Sequence, residues 1–515
     1  MEMSSRNIVV FLCDQLRPDF LGLYGCEAIP TPNLDRLATL GVVFDRAITA
    51  SPLCAPARAS MMTGHYPSRH GVWVNDLPFR ESLEYLPQRM NELGYVTACF
   101  GKLHHFPADD AKGFQYVCQM EEGRLGEAEP YLQWLRKRRP EVTGVWNWDR
   151  DKLVFQFSAE EHHEHWIASQ AIDYLTRHAA TGEQPFLAWV SFQGPHDPLS
   201  PPSDVKGSVD AALLPQAIQR SEGEVCPLHL YREGWFPAPK TLKEIKRTRV
   251  AYGELIVNID RQIGRILDTL ENLGLFTNTT FIFSADHGDL RGDFCLMEKG
   301  PFPYQGQLAV PLLVANHPRM APGRRSSSLA SNLDIPATLL DIGGAERGMG
   351  LSRSLLDLAQ DEPERPRDVN FSEYGDAVKI ADDGRYRYAY YPFLGFSELF
   401  DRDQDPRERH NLAGRPEYAK LEIAFLQHIN DFAAICKGVE IPGRDFVPLV
   451  QAGVRRKHPS FDDVREFRAA FPLNTWNKQN LTRAGLDPNY TNFYRDHEIL
   501  AHYGQDYEEI LNGKS

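Results

Sequence analysis

Ile8-Val9-Val10-Phe11-Leu12-Cys13, running straight into Asp14-Gln15, is the stretch that decides the fold. Six apolar residues in a row, with no polar alternation, read as a strand buried on both faces, as in a parallel sheet. Working outward, runs of the same kind stand at residues 96–100, 185–192, 280–284 and 310–315. Helical patterns lie between them, at 33–40, 86–93, 167–178, 245–273 and 335–342. Strands alternating with helices predict an α/β protein with a doubly wound sheet.

The 515 residues are too many for one simple core, so a large domain and a smaller one are expected. The first is read as residues 1–365, ending in the charged, proline-containing stretch around 363–366. Residues 366–440 change texture: 385–391 and 398–400 alternate like exposed antiparallel strands, and a helix follows over 418–433, giving a small α+β domain. Residues 441–515 form a C-terminal extension, rich in aromatics and charge, that wraps the first domain or a second subunit of a homo-oligomer. The net charge of −14 excludes the basic face that nucleic acid requires, and an anionic substrate needs a local basic pocket. No run approaches a membrane span, and the N-terminal run is too short for a signal peptide. The eight cysteines show no paired spacing and read as reduced thiols, so the expected location is the cytoplasm.

Asp14, Lys102, His104, His196, Asp286 and His287 each fall just beyond the C-terminal end of a predicted strand. That edge is where open α/β sheets bind ligands. Cys54-Ala55-Pro56-Ala57-Arg58, followed by Thr63-Gly64, precedes a helix whose N-terminal dipole favours an anion or a thiolate.

The pattern C-x-P-x-R with a trailing T-G resembles the signature of the type I, formylglycine-dependent sulfatases of the alkaline phosphatase superfamily. The resemblance extends along the chain. Residues 14–25 and 31–38 are similar to that family's N-terminal block, Gly101-Lys102-Leu103-His104 to its G-K-x-H element, and Pro195-His196-Asp197-Pro198 to its P-H-x-P element. Asp286-His287-Gly288, with Lys299 beyond it, resembles the D-H-G block, and residues 334–340, 398–401 and 405–412 resemble later landmarks. The resemblance implies an alkaline-phosphatase-like fold and oxidation of Cys54 to formylglycine by a formylglycine-generating enzyme. It also implies one divalent metal held by Asp14, Gln15, residue 54, Asp286 and His287. Calcium is expected first, with manganese or magnesium as alternatives, since these donors are hard or borderline. Gln15 stands where many relatives carry a second aspartate.

Arg58, Lys102, His104, His196 and Lys299 then form an anion clamp for a sulfuryl group, and Asn75 matches a position that hydrogen-bonds substrate oxygens. The implied mechanism has a hydrated formylglycine attack sulfur while His196 and Lys299 serve the leaving oxygen. His104 is the base that releases sulfate from the enzyme ester. The substrate is a small sulfate monoester, with aryl, choline-like and carbohydrate esters all open. A phosphonate monoester or phosphodiester hydrolase shares C-x-P-x-R but typically lacks the Lys102/His104 pair. A non-catalytic binding protein has no reason to keep the whole set. His162-His163-Glu164-His165 is read as a solvated or substrate-rim tract on a polar helix face rather than a second metal site.

Overall fold

The computed structural model describes residues 6–80, 82–182, 184–219, 241–392 and 394–437. The expected extension at 441–515 lies outside the described residues. Eight strands build the large sheet: β1 (Asn7–Asp14), β2 (Gly41–Ile48), β3 (Val96–Gly101), β4 (Tyr116–Gln119), β5 (Phe186–Pro195), β6 (Thr279–Ala285), β7 (Leu312–Ala315) and β8 (Arg324–Ser331). Their spatial order is β8-β2-β7-β6-β1-β5-β3-β4. The N-terminal run is β1, near the centre and buried along its whole length, parallel to β5 on one side and β6 on the other. Burial on both faces is why it carries no polar alternation.

Helices α1 (Pro32–Thr39), α2 (Cys54–Thr63), α3 (Leu86–Glu92), α4 (His163–Thr181), α5 (Leu242–Asn272) and α6 (Ile335–Ile342) cover the sheet. One layer is α1, α4 and α5, and the other is α2, α3 and α6. The longest, α5, starts at a reciprocal cap in which Thr241 and Glu244 bond each other's backbone N–H. Among the described residues no helix is long and apolar enough to cross a membrane.

One strand departs from the parallel expectation. β7 runs antiparallel to both neighbours, β6 and β2. Parallel neighbours need a crossover to the opposite edge, and residues 286–311 make none. They stay at the C-terminal edge, where the Gly288 and Asp289 N–H groups donate to the Gln307 and Gly306 carbonyls, at 2.9 and 2.8 Å. The chain therefore enters β7 from the top. Three strands are absent from the expected set: β2, β4 and β8. The edge strand β8 carries Arg324-Arg325-Ser326-Ser327-Ser328 and offers no apolar run, and the run of β2, Val42-Val43-Phe44, is cut short by exposed Asp45 and Arg46.

The second sheet is an antiparallel meander of β9 (Asn370–Tyr374), β10 (Val378–Asp382), β11 (Tyr386–Tyr391) and β12 (Phe396–Asp401). These strands are largely buried, contrary to the exposed strands expected at 385–400. Both faces are covered, which explains the aromatic content. Val378, Ile380, Tyr391 and Phe400 pack on Leu290, Phe294, Phe302 and Tyr304. Ala381, Tyr388 and Leu399 pack on Phe425 and Ile429 of α7 (Ala419–Lys437). Buried Arg387 fastens this sheet to the segment that precedes β7. It bonds Asp382 at 2.8 Å and Glu408 at 2.5 Å, and reaches the Pro303 carbonyl and Gln305 at 3.0 and 2.8 Å.

Gly101 ends β3 with φ +90°, and a Cβ added there would meet the Ser191 carbonyl at 1.9 Å. Only glycine fits this close crossing of strands. Gly101→Ala should lower stability by about 1–3 kcal/mol, more than Gly25→Ala, which has a similar φ in open space. Urea denaturation of the two variants side by side checks this. Equal losses would mean the crossing is not tight.

Candidate active site

The C-terminal edge of the sheet gathers groups far apart in sequence. Asp14 closes β1, Lys102 and His104 follow β3, His196 follows β5, and Asp286 and His287 follow β6. All six are buried. Helix α2 points its first turn at them, with Cys54 its first residue at 1% exposure and Arg58 one turn further on the same side. Asp14, Cys54, Asp286 and His287 each offer one ligand atom, and these atoms lie within 4.8 Å of one another. The Cys54 sulfur is 3.1 Å from His287 Nε2 and 3.7 Å from Asp14 Oδ1.

This donor set fits a divalent cation. His287 Nδ1–H donates to the Gly288 carbonyl at 2.8 Å, which leaves the Nε2 lone pair facing the carboxylates. Burial and then the neighbouring Lys299 hold the His287 imidazole neutral, with its pKa below the usual value. Burial alone would raise Asp14. Lys102, His196 and Arg58 outweigh it and hold Asp14 well below the usual carboxylate range. The Cys54 thiol behaves oppositely: burial and then Asp14 push it up to about 12. The thiolate favoured by a helix N-terminus is therefore not what this pocket stabilises, because burial outweighs the dipole.

Around these four candidate ligands stand the cations. Arg58 Nε donates to Asp286 Oδ2 at 2.8 Å, Nη2 to Asp14 Oδ2 at 3.1 Å, and Nη1 to the Lys102 carbonyl and Ser191 Oγ at 2.6 and 2.9 Å. Lys102 Nζ sits 2.8 Å from Asp14 and 2.7 Å from Glu122. Lys299 Nζ donates to Gln15 Oε1 at 2.5 Å and to His196 Nε2 at 2.6 Å. Gln15 thus stands beside the ligand group, its amide nitrogen bonded to Asp289 at 2.6 Å and its backbone N–H to Asp286 at 3.0 Å. Asn75 Oδ1 accepts the Ala55 N–H of α2 at 3.1 Å, so its oxygen caps the helix that carries Cys54.

Several residues that hold the site carry no signal in the sequence pattern. Asn332 Nδ2 bonds the Asp286 and Ala285 carbonyls at 2.8 and 3.1 Å, and its Oδ1 accepts the Ala50 N–H at 3.1 Å, joining the ends of β6 and β2. Glu121, Glu122 and Arg124 follow the short edge strand β4 and surround Lys102 and His104. Their one trace in the sequence is a position just beyond a strand too short to leave a clear apolar run. The histidine tract departs from the solvated or substrate-rim expectation. His162 and His163 are buried, not solvated, at the start of α4. His162 Nε2–H donates to the Ser200 carbonyl at 3.0 Å, and the His163 ring packs against Tyr131, Trp146 and His162. Glu164 accepts the Gly194 N–H at 2.5 Å and so supports the strand end before His196. No second metal-ligand group accompanies them among the described residues.

A model of the family described as sulfatase matches residues 6–345. The chain belongs to the sulfatase family. Residues 292–435 of this sulfatase also match a model described as N-sulphoglucosamine sulphohydrolase, C-terminal. An arylsulfatase of Clostridium perfringens is 30% identical over 462 residues, covering 82% of this chain and 93% of that protein. A choline-sulfatase of Rhizobium meliloti is 28% identical over 517 residues, covering 94% and 95%. The crystal structure of a phosphonate monoester hydrolase of Agrobacterium radiobacter superposes with a TM-score of 0.74 at 25% identity, covering 84% of this chain and 96% of that one. The fold is accordingly alkaline-phosphatase-like, and the protein is a sulfuric ester hydrolase.

Asn332→Ala should lower metal affinity or activity about 10–100-fold, the usual cost of losing a partner that orients ligands. Asp14→Ala, which removes a charged donor, should lower both further. Metal content after desalting, measured with turnover, checks this. Normal metal content in Asp14→Ala would remove it from the ligand set.

Proposed function

We propose that this sulfatase hydrolyses a sulfate monoester with residue 54, oxidised from cysteine to formylglycine, as the nucleophile beside one divalent cation. The observation that carries the reading is the setting of Cys54. It stands at the meeting point of two carboxylates, an imidazole and a wall of cations, yet its thiol is pushed up to about 12. At neutral pH such a sulfur is almost entirely S–H and a poor nucleophile. A central position with an inert side chain calls for a different functional group there.

Asp14, Asp286, His287 and residue 54 would hold the cation, with the Gln15 oxygen alongside. Calcium is proposed first, and manganese or magnesium fit the same donors. When bound, the cation supplies positive charge that offsets charge developing on the reacting oxygens. Hydrated, residue 54 offers one hydroxyl to form a bond to sulfur as the bond to the alcohol breaks, and a second to expel sulfate and restore the aldehyde.

The chain's own groups do the rest. Arg58 fixes Asp14 and Asp286 and so keeps the two carboxylates in register with α2. Lys102 is held charged. Burial would lower its pKa, but Asp14 and Glu122 raise it above the usual lysine range. It therefore presents a permanent cation to the sulfuryl oxygens. On the other side His196 Nδ1–H donates to the Asp197 carbonyl at 2.6 Å, and Nε2 accepts from Lys299. The proton for the departing alcohol oxygen comes from this pair, which also carries the remaining positive charge. The likeness to a phosphonate monoester hydrolase supports a competing reading, in which the ester is a phosphonate. The Lys102/His104 pair favours the sulfate.

Mass spectrometry of the tryptic fragment spanning position 54 should show loss of the thiol sulfur and gain of an aldehyde. Cys54→Ala should fold and lose nearly all turnover. Full activity with an unmodified cysteine would end this mechanism. Assayed side by side, an aryl sulfate should be turned over faster than an aryl phosphonate monoester, and the reverse order would favour the competing reading.

A further inference from the structure

His104 is the one residue of the clamp whose hydrogen bonding is lopsided. Its backbone is held in the left-handed region, φ +56°, by Glu121, whose carboxylate accepts the N–H groups of Leu103 and His104. Its Nε2 faces Arg124 Nη1 at 2.9 Å. Its buried Nδ1 has no hydrogen-bond partner among the described residues. Arginine can only donate, so Nε2 must be the acceptor and the ring proton must sit on Nδ1.

Arg124 is itself fixed. Nη2 donates to Glu121 Oε2 at 2.9 Å and Nη1 to Glu122 Oε2 at 3.0 Å, and Glu122 in turn holds Lys102. Glu129 accepts the Glu121 N–H behind them. This is a built device, running from β4 to the imidazole.

We propose that Arg124 is a positioning residue that fixes His104 as the neutral imidazole protonated on Nδ1, making it a hydrogen-bond donor to the reacting oxygens in the resting enzyme. The proposal rests on the sulfatase reading for its consequence, but not for its geometry. The base role that the resemblance implies for His104 would require the Arg124 bond to open first.

The groups facing the ring agree. Burial, then Arg124, then Lys102 and Arg58 lower the His104 pKa well below its usual value, and Asp14 opposes them. Glu121 pairs with Arg124 and Asp76 interacts with it, so their charge tempers the guanidinium. Protonating His104 would set a second cation against Arg124 and leave Nε2–H without an acceptor. With Arg124 gone, the same ring gains proton affinity and loses the bond that selects its tautomer.

The test uses full-length Cys54→Ala protein labelled with 15N-histidine, with His104→Gln to assign the signal and no turnover needed. His104 should show a protonated Nδ1 and a bare Nε2, unchanged through the pH range in which an ordinary histidine titrates. In the Arg124→Met background the tautomer signature should be lost and the ring should titrate at least about tenfold more readily, one pH unit higher. Arg124→Lys should restore the original signature in part. In the matured enzyme Arg124→Met should add an acid limb to the pH profile of kcat/KM on an aryl sulfate, where a merely structural role would lower the rate evenly. A wild-type His104 protonated on Nε2, or titrating near its usual pKa, would overturn the proposal. So would an Arg124→Met protein with unaltered His104 signals and only a raised KM, since Arg124 would then be a plain anion contact. If no ester is turned over at all, the sulfatase reading fails while the resonance result stands.

Discussion

A single buried guanidinium ties this architecture together. Arg58, on α2, reaches Asp14 at the end of β1, Asp286 beyond β6, the Lys102 carbonyl beyond β3 and Ser191 in β5. Those four strands are consecutive in the sheet, in the order β6-β1-β5-β3. One side chain therefore sets the spacing of four strand ends against the helix that carries Cys54. Without it Asp286 would lose its guanidinium and Asp14 would keep only Lys102, and breaking a buried pair in this way costs roughly 3–5 kcal/mol. The five donor hydrogens of arginine in a rigid fork make this possible, and lysine in its place could not span the same partners.

Beyond Arg58 the site is an alternation of buried charges. Lys102 sits between Asp14 and Glu122, and Glu122 lies against Arg124. On the opposite side Lys299 reaches Gln15, whose amide reaches Asp289, which pairs with Arg291. Such networks add little to stability compared with well-packed apolar residues, so their presence at one sheet edge marks function rather than folding. The antiparallel turn of β7 serves the same end. It leaves residues 286–308 lying over the edge as a roof, and the second sheet packs on that roof through Phe294, Phe302 and Tyr304.

Most of this was legible in the sequence because buried parallel strands and strand-end polar residues leave a direct trace. The runs at 8–13, 96–100 and 280–284 became β1, β3 and β6, and Asp14, Lys102, His196, Asp286 and His287 converge as their positions implied. What was not legible has common causes. Edge strand β8 lacks an apolar run and β4 is only four residues long and mostly half-buried, so Glu121, Glu122 and Arg124 have no clear strand to follow. Asn332 acts through backbone carbonyls distant in sequence, which no local spacing encodes. The histidine tract misled because three histidines in four residues look polar, whereas His162 has both ring nitrogens hydrogen-bonded and His163 is packed by its ring faces inside an aromatic layer. Val310 onward had the composition of a parallel strand, and only the missing crossover reverses its direction.

The depth at which Cys54 lies has a further consequence. At 1% exposure, at the start of a helix buried along its whole length, it is beyond the reach of any second protein. If residue 54 is oxidised by a separate enzyme, that enzyme must meet the chain before α2 docks. Maturation and folding then compete for the same brief interval. A chain that folds too quickly would be native in every respect except the one atom that matters, and no later exposure to the maturing enzyme would rescue it short of unfolding.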